Sequence, residues 1–255
     1  MPLSGASGPF TGAFPKALLR ADTNNLAPRL GFAWRAAPGT IVRGGYGISY
    51  NSGSYASIAR QMVAQPPFAV TGTEIGSLED PLTLQTAFAD GSRDALTNTY
   101  GVDKDYELGM AQTWNADISK DLRQVWNVGV SYTHTRGSRL DIVRAPNRGP
   151  DGLRIPGVQP FLWQTSEGSS RLNALSLRFR RRPVRGLGAG LTYTLAKSRD
   201  NASTIGGGGT VVAQNDQDLE AEWGLSSFDR RHQFSSEFTF ELPFGENRRW
   251  LSNGG

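Results

Sequence analysis

Seven segments of this chain alternate apolar and polar residues with a period of two, and this pattern restricts the fold more than any other feature. In the first, Leu26, Pro28, Leu30, Phe32 and Trp34 interleave with Ala27, Arg29, Gly31, Ala33 and Arg35. In the second, Val42, Tyr46, Ile48 and Tyr50 oppose Arg43, Gly45, Gly47 and Ser49. The third sets Leu108, Met110, Trp114, Ala116 and Ile118 against Thr113, Asn115, Asp117 and Ser119; the fourth sets Trp126, Val128, Val130 and Tyr132 against Asn127, Gly129, Ser131 and Thr133. Leu175, Leu177 and Phe179 then oppose Ser176, Arg178 and Arg180, and Leu187, Ala189, Leu191, Tyr193 and Leu195 oppose Gly188, Gly190, Thr192 and Thr194. Last, Phe234, Phe238, Phe240 and Leu242 oppose Gln233, Ser235, Glu237, Thr239 and Glu241. Side chains on a strand point alternately to opposite faces, so each segment has one greasy and one polar face. The runs are about 9 to 12 residues, the length with which a tilted strand crosses a bilayer.

The connections alternate as well. Ala37-Pro38-Gly39, Asp121-Leu122-Arg123 and Pro183-Val184-Arg185-Gly186 join strands through tight turns, and Phe244-Gly245-Glu246-Asn247 follows the seventh. The remaining connections, about 51–107, 137–171 and 198–231, are long. Short and long links alternating without exception are the habit of outer-membrane barrels, whose periplasmic turns are short and extracellular loops long. The spacing predicts an all-β fold: a partial transmembrane antiparallel β-barrel of about seven strands, with long extracellular loops and short periplasmic turns.

The same strands are compatible with other β folds. Soluble sandwiches and lipocalin-like barrels also alternate, with apolar residues inward. Against them, Trp34 and Trp126 sit beside short turns and Tyr50 and Tyr132 beside long loops, where interfacial aromatic girdles lie. The opposite face is polar and Gly-rich along whole strands, as a wet lumen tolerates. No run approaches the roughly 18 apolar residues of a spanning helix, a limit that does not touch barrels. The chain has no cysteine, which removes disulfides and thiolate metal sites. Its formal charge of +4 is dispersed apart from Arg178, Arg180, Arg181 and Arg182, which is no nucleic-acid footprint. Met1 to Phe14 lacks the charged-then-apolar pattern of a signal peptide, so the chain is expected to be a piece of a longer exported protein. The expected organisation is a flexible lead-in over 1–24, barrel wall over 25–251 and a truncated end over 252–255.

Several of these stretches resemble a known family. Asn25-Leu-Ala-Pro-Arg-Leu-Gly-Phe-Ala-Trp34 followed by Val42-Arg-Gly-Gly-Tyr-Gly-Ile-Ser-Tyr-Asn51 is similar to the barrel of TonB-dependent receptors of the Oar-like kind. So are Leu172-Asn-Ala-Leu-Ser-Leu-Arg-Phe179, Leu191-Thr-Tyr-Thr-Leu-Ala-Lys-Ser198, Gly224-Leu-Ser-Ser-Phe-Asp-Arg-Arg-His-Gln-Phe234 and Phe240-Glu-Leu-Pro-Phe-Gly245. The resemblance covers most of residues 25–251. It implies a 22-stranded barrel in the bacterial outer membrane, closed by an N-terminal plug and coupled to the TonB complex. Such receptors import bulky ligands, among them metal chelates and oligosaccharides; some Oar-like members have surface or secretion roles instead. The chain shows no plug, TonB box or terminal aromatic strand, so TonB coupling is implied by the resemblance alone.

Candidate chemistry is sparse. The two histidines, His134 and His232, lie near strand ends, and neither a Gly-x-Ser-x-Gly elbow nor a His-Glu-x-x-His helix is present, so no enzyme and no cofactor is expected. Gly206 to Gly209 reads as a flexible loop tip. Asp216, Asp218, Glu220 and Glu222 alternate in the third long loop and could offer oxygen ligands to Ca²⁺, although their spacing is not that of an EF-hand; a solvated acidic loop is the plainer reading. The long loops also hold aromatics, notably Tyr55, Tyr100, Trp163 and Trp223, with Phe68 and Phe161. These can stack on a ligand, or can form small cores that hold the loops together, which is the favoured reading. The expected partners are outer-membrane lipid, an imported ligand of unknown identity and, through the resemblance, the TonB complex. The expected function is binding and import of a bulky ligand; the alternatives are a barrel for adhesion, surface display or secretion, and a soluble β-sandwich binding module.

Overall fold

The computed structural model describes residues 19–65, 68–69, 83, 100–123, 125–149, 151–158, 160–184, 186–201, 213–242, 244 and 250. Gly206 to Gly209 lie outside these. Seven long strands form one antiparallel sheet: β1 (Arg29–Ala37), β2 (Thr40–Tyr50), β4 (Met110–Leu122), β5 (Trp126–Arg144), β8 (Leu162–Val184), β9 (Leu187–Asp200) and β11 (His232–Phe240). Shorter pieces complete it: β3 (Tyr100–Val102) and β10 (Gly224–Leu225) join the same sheet, while β6 (Arg148–Gly149) and β7 (Gly152–Leu153) pair with each other. A single helix among the described residues, α1 (Gly53–Val63), stands in the first long connection.

Register explains why the alternation matters. Trp34, Val42, Ile118, Val130, Leu177, Tyr193 and Phe234 are direct cross-strand partners in one unbroken row through all seven strands. One residue along, the row reads Ala33, Arg43, Asp117, Ser131, Ser176, Thr194 and Gln233. A one-residue slip anywhere would exchange the two faces, so the pattern itself fixes the pairing. The apolar face is not covered: Trp34 is 61% exposed, Ile118 53%, Leu177 45% and Phe234 66%. Among the described residues no second layer lies on it, which overturns the soluble sandwich; a sandwich would bury this face. An uncovered apolar surface of this extent has lipid as its solvent.

The polar face carries its own network. Asp117 accepts from Arg43 (3.1 Å) and from Arg178, and Asp121 accepts from Asn127 (2.8 Å) and Arg182 (3.4 Å). At the end opposite the long loops, the β1–β2 and β8–β9 turns are closed by glycines in the left-handed region, Gly39 (φ 71°) and Gly186 (φ 79°). Their carbonyls accept the next strand's Asp121 and Glu241 N–H at 2.7 Å, so each turn is tied to its neighbour. β1 pairs only with β2 and β11 only with β9, so the sheet is open among the described residues. Closing the wall requires further strands, because unpaired edge groups are not tolerated in lipid.

Two expectations need correction. The second long link, expected over about 137–171, is strand at both ends: β8 runs 23 residues and β5 runs 19. At about 3.3 Å per residue such strands are far longer than a bilayer crossing needs, so both project well beyond it. The strict alternation ends where they leave the membrane, and the pairing of β5 shifts register between Gly137 and Leu140 and again before Ile142, with Arg139 at φ 54°. The first long connection, read as a loop over 51–107, contains α1 and β3. Ser54, Ile58 and Met62 at helical spacing form the inward stripe of α1, a signal present in the sequence.

Candidate functional site

The projecting ends of β5 and β8 support an ordered cap built from all three long connections. Ile58, Val102 and Tyr106 form a small core, with Leu19 and Met62 packed against it. Around it runs a chain of polar contacts. The Gln65 amide donates to the Tyr100 carbonyl (2.9 Å) and accepts its N–H (3.2 Å), mimicking a strand neighbour. The Tyr100 hydroxyl donates to Gln164, whose amide donates to Asp141 (3.3 Å). Asp141 also accepts from Tyr106 and Ser54. One β5 carboxylate therefore holds α1, the segment after β3 and β8 together. Burial, with Asp141 beside them, pushes the Tyr100 and Tyr106 hydroxyls well above the ordinary tyrosine range, keeping both as neutral donors. Below them Asp22 accepts the Leu108 N–H at 2.9 Å, and this bond pulls its carboxyl below the usual range.

The second and third connections are clamped differently. Arg144, the last residue of β5, forks onto Asp216 at 3.1 and 3.0 Å and reaches Glu167 at 2.7 Å. Burial works against its charge, but the bonds to Asp216 and Glu167 outweigh that and hold its proton more firmly. Asn147, fully buried, donates to the Val158 carbonyl (2.8 Å) and accepts the Ile155 N–H (2.7 Å), which folds the hairpin of β6 and β7 onto itself. On β9, Ser198 accepts from or donates to Ser226 (2.9 Å), and its N–H donates to Asp229 (2.6 Å).

The structure separates the expected site residues. Tyr100 is buried in the cap, and the Trp163 ring lies on Gly101, where any Cβ would meet it at 2.6 Å. Tyr55, on α1, is 38% exposed and sits edge-on to Tyr106 at 6.2 Å. These three stand in the same cap, beside the small core of Ile58, Val102 and Tyr106. Trp223 stands apart in the third connection, half-buried, its N–H on the Glu220 carbonyl (3.0 Å). The acidic series does not converge. Asp216 is taken by Arg144 and the Ala145 N–H, Asp218 accepts the Ala221 N–H (3.2 Å), Glu222 accepts from Gln214 and Asn215, and Glu220 is exposed. Among the described residues no three His, Asp or Glu side chains gather as a metal site would require. The residues that organise this surface, Asp141, Arg144, Asn147 and Gln164, were not singled out from sequence, since a lone polar residue in a long loop carries no periodic signal.

Aromatic belts mark the membrane. On the apolar face Tyr46, Trp114 and His134 form one cross-strand row, with ring centres 5.2 and 5.3 Å apart. Toward the turns, Trp126 stacks on Phe179 at 4.8 Å with the Arg181 guanidinium over it at 5.6 Å. The eight residue steps from Trp126 to His134 span about 26 Å along β5, the scale of a barrel's apolar band before tilt. Trp126 thus fits the expected girdle, while the loop-side belt is built by Tyr46, Trp114 and His134 rather than by Tyr50 and Tyr132. Tyr132 stands one row nearer the turns and donates to Asn173 at 2.9 Å.

A sheet with a lipid-facing side, a polar side, two aromatic belts and long loops gathered at one end is a section of membrane-spanning barrel wall. The chain belongs to the outer membrane beta barrel domain family, whose model matches residues 2–255, and its place is the bacterial outer membrane. Among solved structures it is similar to the ferric-catecholate import receptor Fiu from E. coli K12 in its closed form, at 13% identity and a TM-score of 0.42. That likeness covers 92% of this chain and 26% of the receptor, so the chain spans about a quarter of the receptor's length. No curated protein matches the sequence.

The orientation has a direct test. In cells carrying the intact protein, a cysteine at the exposed Glu220 should react with an impermeant maleimide, and one at Pro38 in the β1–β2 turn should not. Labelling of Pro38 alone would invert the topology.

Proposed function

We propose that the chain is part of the wall of a TonB-dependent receptor that binds a bulky ligand, a metal chelate or an oligosaccharide, and imports it across the outer membrane. The observation supporting this is the cap. Three long connections are fixed to projecting strands by buried polar clamps, and such preorganisation favours binding because less conformational freedom is lost when a ligand arrives. Tyr55, the most exposed of the four loop aromatics, and Trp223, which stands apart in the third connection, would offer ring faces to the ligand, while Tyr100 and Trp163 hold the surface that presents them. Nothing in this reading calls for catalysis. His134 is hydrogen-bonded to Asn173 (2.8 Å) and His232 to Tyr193 (2.7 Å), both on the outward face. The test is uptake of radiolabelled ferric catecholate, ferric hydroxamate and maltodextrin by cells that carry or lack the intact protein, each with and without TonB. Uptake of one of them that needs both supports import. Uptake of none, with surface adhesion lost on deletion, would replace import by a display role.

A further inference from the structure

One row above the Tyr46–Trp114–His134 belt, the outward face changes character. Ile48, Gln112, Arg136, Arg171, Arg199 and Leu225 are successive cross-strand partners, and the three arginines stand directly opposite one another on β5, β8 and β9. Lys197 follows in the belt row, opposite Asn173. All three arginines are exposed, and among the described residues no ion pair or hydrogen bond engages their side chains or that of Lys197. Neither the arginine row nor the belt row below it contains a carboxylate. Like charges directly opposite on a sheet are destabilising, and here two such pairs adjoin. On the polar face of the same sheet Arg43 and Arg178 share Asp117 and Arg182 has Asp121, whereas Arg29, Arg35 and Arg180 have no ion pair among the described residues. The arginine row lies immediately beyond the aromatic belt on the loop side.

We infer that Arg136, Arg171 and Arg199, with Lys197, form a binding surface for the phosphate groups of phosphorylated glycolipids in the outer leaflet. Three adjacent strands place the guanidinium stems within about 10 Å, the footprint of one headgroup. Guanidinium forks suit phosphate oxygens through paired hydrogen bonds, and the apolar rows beneath receive the acyl chains of the same molecule. Charge complementarity and position thus point to a lipid bound against the wall, separate from any cargo on the cap.

The experiment uses the intact barrel purified in neutral detergent. It is titrated with bisphosphorylated lipid A, with its enzymatically dephosphorylated form, and with inorganic phosphate, followed by native mass spectrometry and by the fluorescence of the neighbouring Trp114. The phosphorylated glycolipid should bind more tightly than the dephosphorylated one, and inorganic phosphate should not displace it. Each single change among Arg136→Gln, Arg171→Gln and Arg199→Gln should weaken it about fivefold, and the triple glutamine variant about a hundredfold, at roughly 1 kcal/mol per basic residue near a charged headgroup. A triple lysine variant should keep most of the affinity, which separates lost charge from a damaged barrel. Wild-type affinity in the triple glutamine variant, equal binding of the two glycolipids, or displacement by inorganic phosphate would each overturn the assignment.

Discussion

Replacing Arg144 with alanine should speed tryptic cleavage after Arg148 and Arg154 about a hundredfold while leaving the barrel's heat stability unchanged. The side chain of Asp216 is 3% exposed, and its charge is met by the Arg144 fork and the Ala145 N–H. Removing one partner of such a pair leaves a buried charge uncompensated, at a cost of about 3 kcal/mol or more. That cost falls on the closed state of the cap alone, because Arg144 lies at the far end of β5, outside the aromatic belts. At 1.4 kcal/mol per decade the open population rises by about two decades, and cleavage of exposed arginines follows that population. Arg144→Lys should recover only part of the protection, since an ammonium cannot make the fork. The Arg144→Ala, Asp216→Ala pair together should cost less than the sum of the two alone. Equal cleavage rates in Arg144→Ala and wild type would mean that this clamp does not order the cap.

A second large effect is expected in β9. Leu191 pairs with Phe179 and Ser236 on the lipid-facing side, one row inside the turn-side aromatic belt, and Thr194 pairs with Ser176 and Gln233 on the polar side. Leu191→Arg in the intact protein should lower barrel stability by about 1 to 3 kcal/mol, between the midplane and interfacial costs of an arginine on a lipid face. Thr194→Arg, with the same charge on the same strand, should cost less than about 1 kcal/mol, mostly its bond to Ser176 (2.8 Å). Thr192 is a poorer control, because Arg178 stands directly opposite and would meet a like charge. Urea unfolding of the folded barrel in lipid vesicles, read by heat-modifiable migration, gives both values. If Thr194→Arg proved the costlier, the two faces of the sheet would be assigned the wrong way round.

How much of this was legible in sequence depended on which solvent each residue faces. Within the bilayer, lipid on one side and a polar interior on the other impose a two-residue period, so Val128, Val130 and Tyr132 against Gly129, Ser131 and Thr133 gave strand, facing and register at once. Turn glycines gave the ends: Gly39 and Gly186 occupy the left-handed positions that the tight links require. Above the membrane, water bathes both sides and the period disappears. Strand β8 continues from Arg171 back to Leu162 through Thr165, Ser166, Gly168 and Ser169, a polar stretch that reads as loop. The cap was illegible for a related reason. Its stability rests on single long-range pairs, such as Ser54 with Asp141 and Arg144 with Asp216, and one sequence carries no record of which distant polar residues meet. The arginine row was hidden in the same way, since Arg136, Arg171 and Arg199 become neighbours only through pairing.

The short strand β3 has a mechanical consequence. It belongs to the connection between β2 and β4, yet it pairs in parallel with β8 at Tyr100–Leu162, Gly101–Trp163 and Val102–Gln164, on the edge that β9 leaves open beyond Ser170. From that slot residues 103–109 lead back over β5 to β4, with Asp103 on Gln164, Tyr106 on Asp141 and Glu107 on Arg139. This arm therefore works as a tie-bar across the rim, anchored at one end in β4 and at the other in β8. Sliding β4 along β5, or β5 along β8, would have to stretch it or pull β3 out of its slot. The rim can thus resist shear between these strands beyond what their ladders and side-chain bonds supply. The tie-bar can seat only after β5 and β8 have paired, so it locks a register already chosen rather than choosing it.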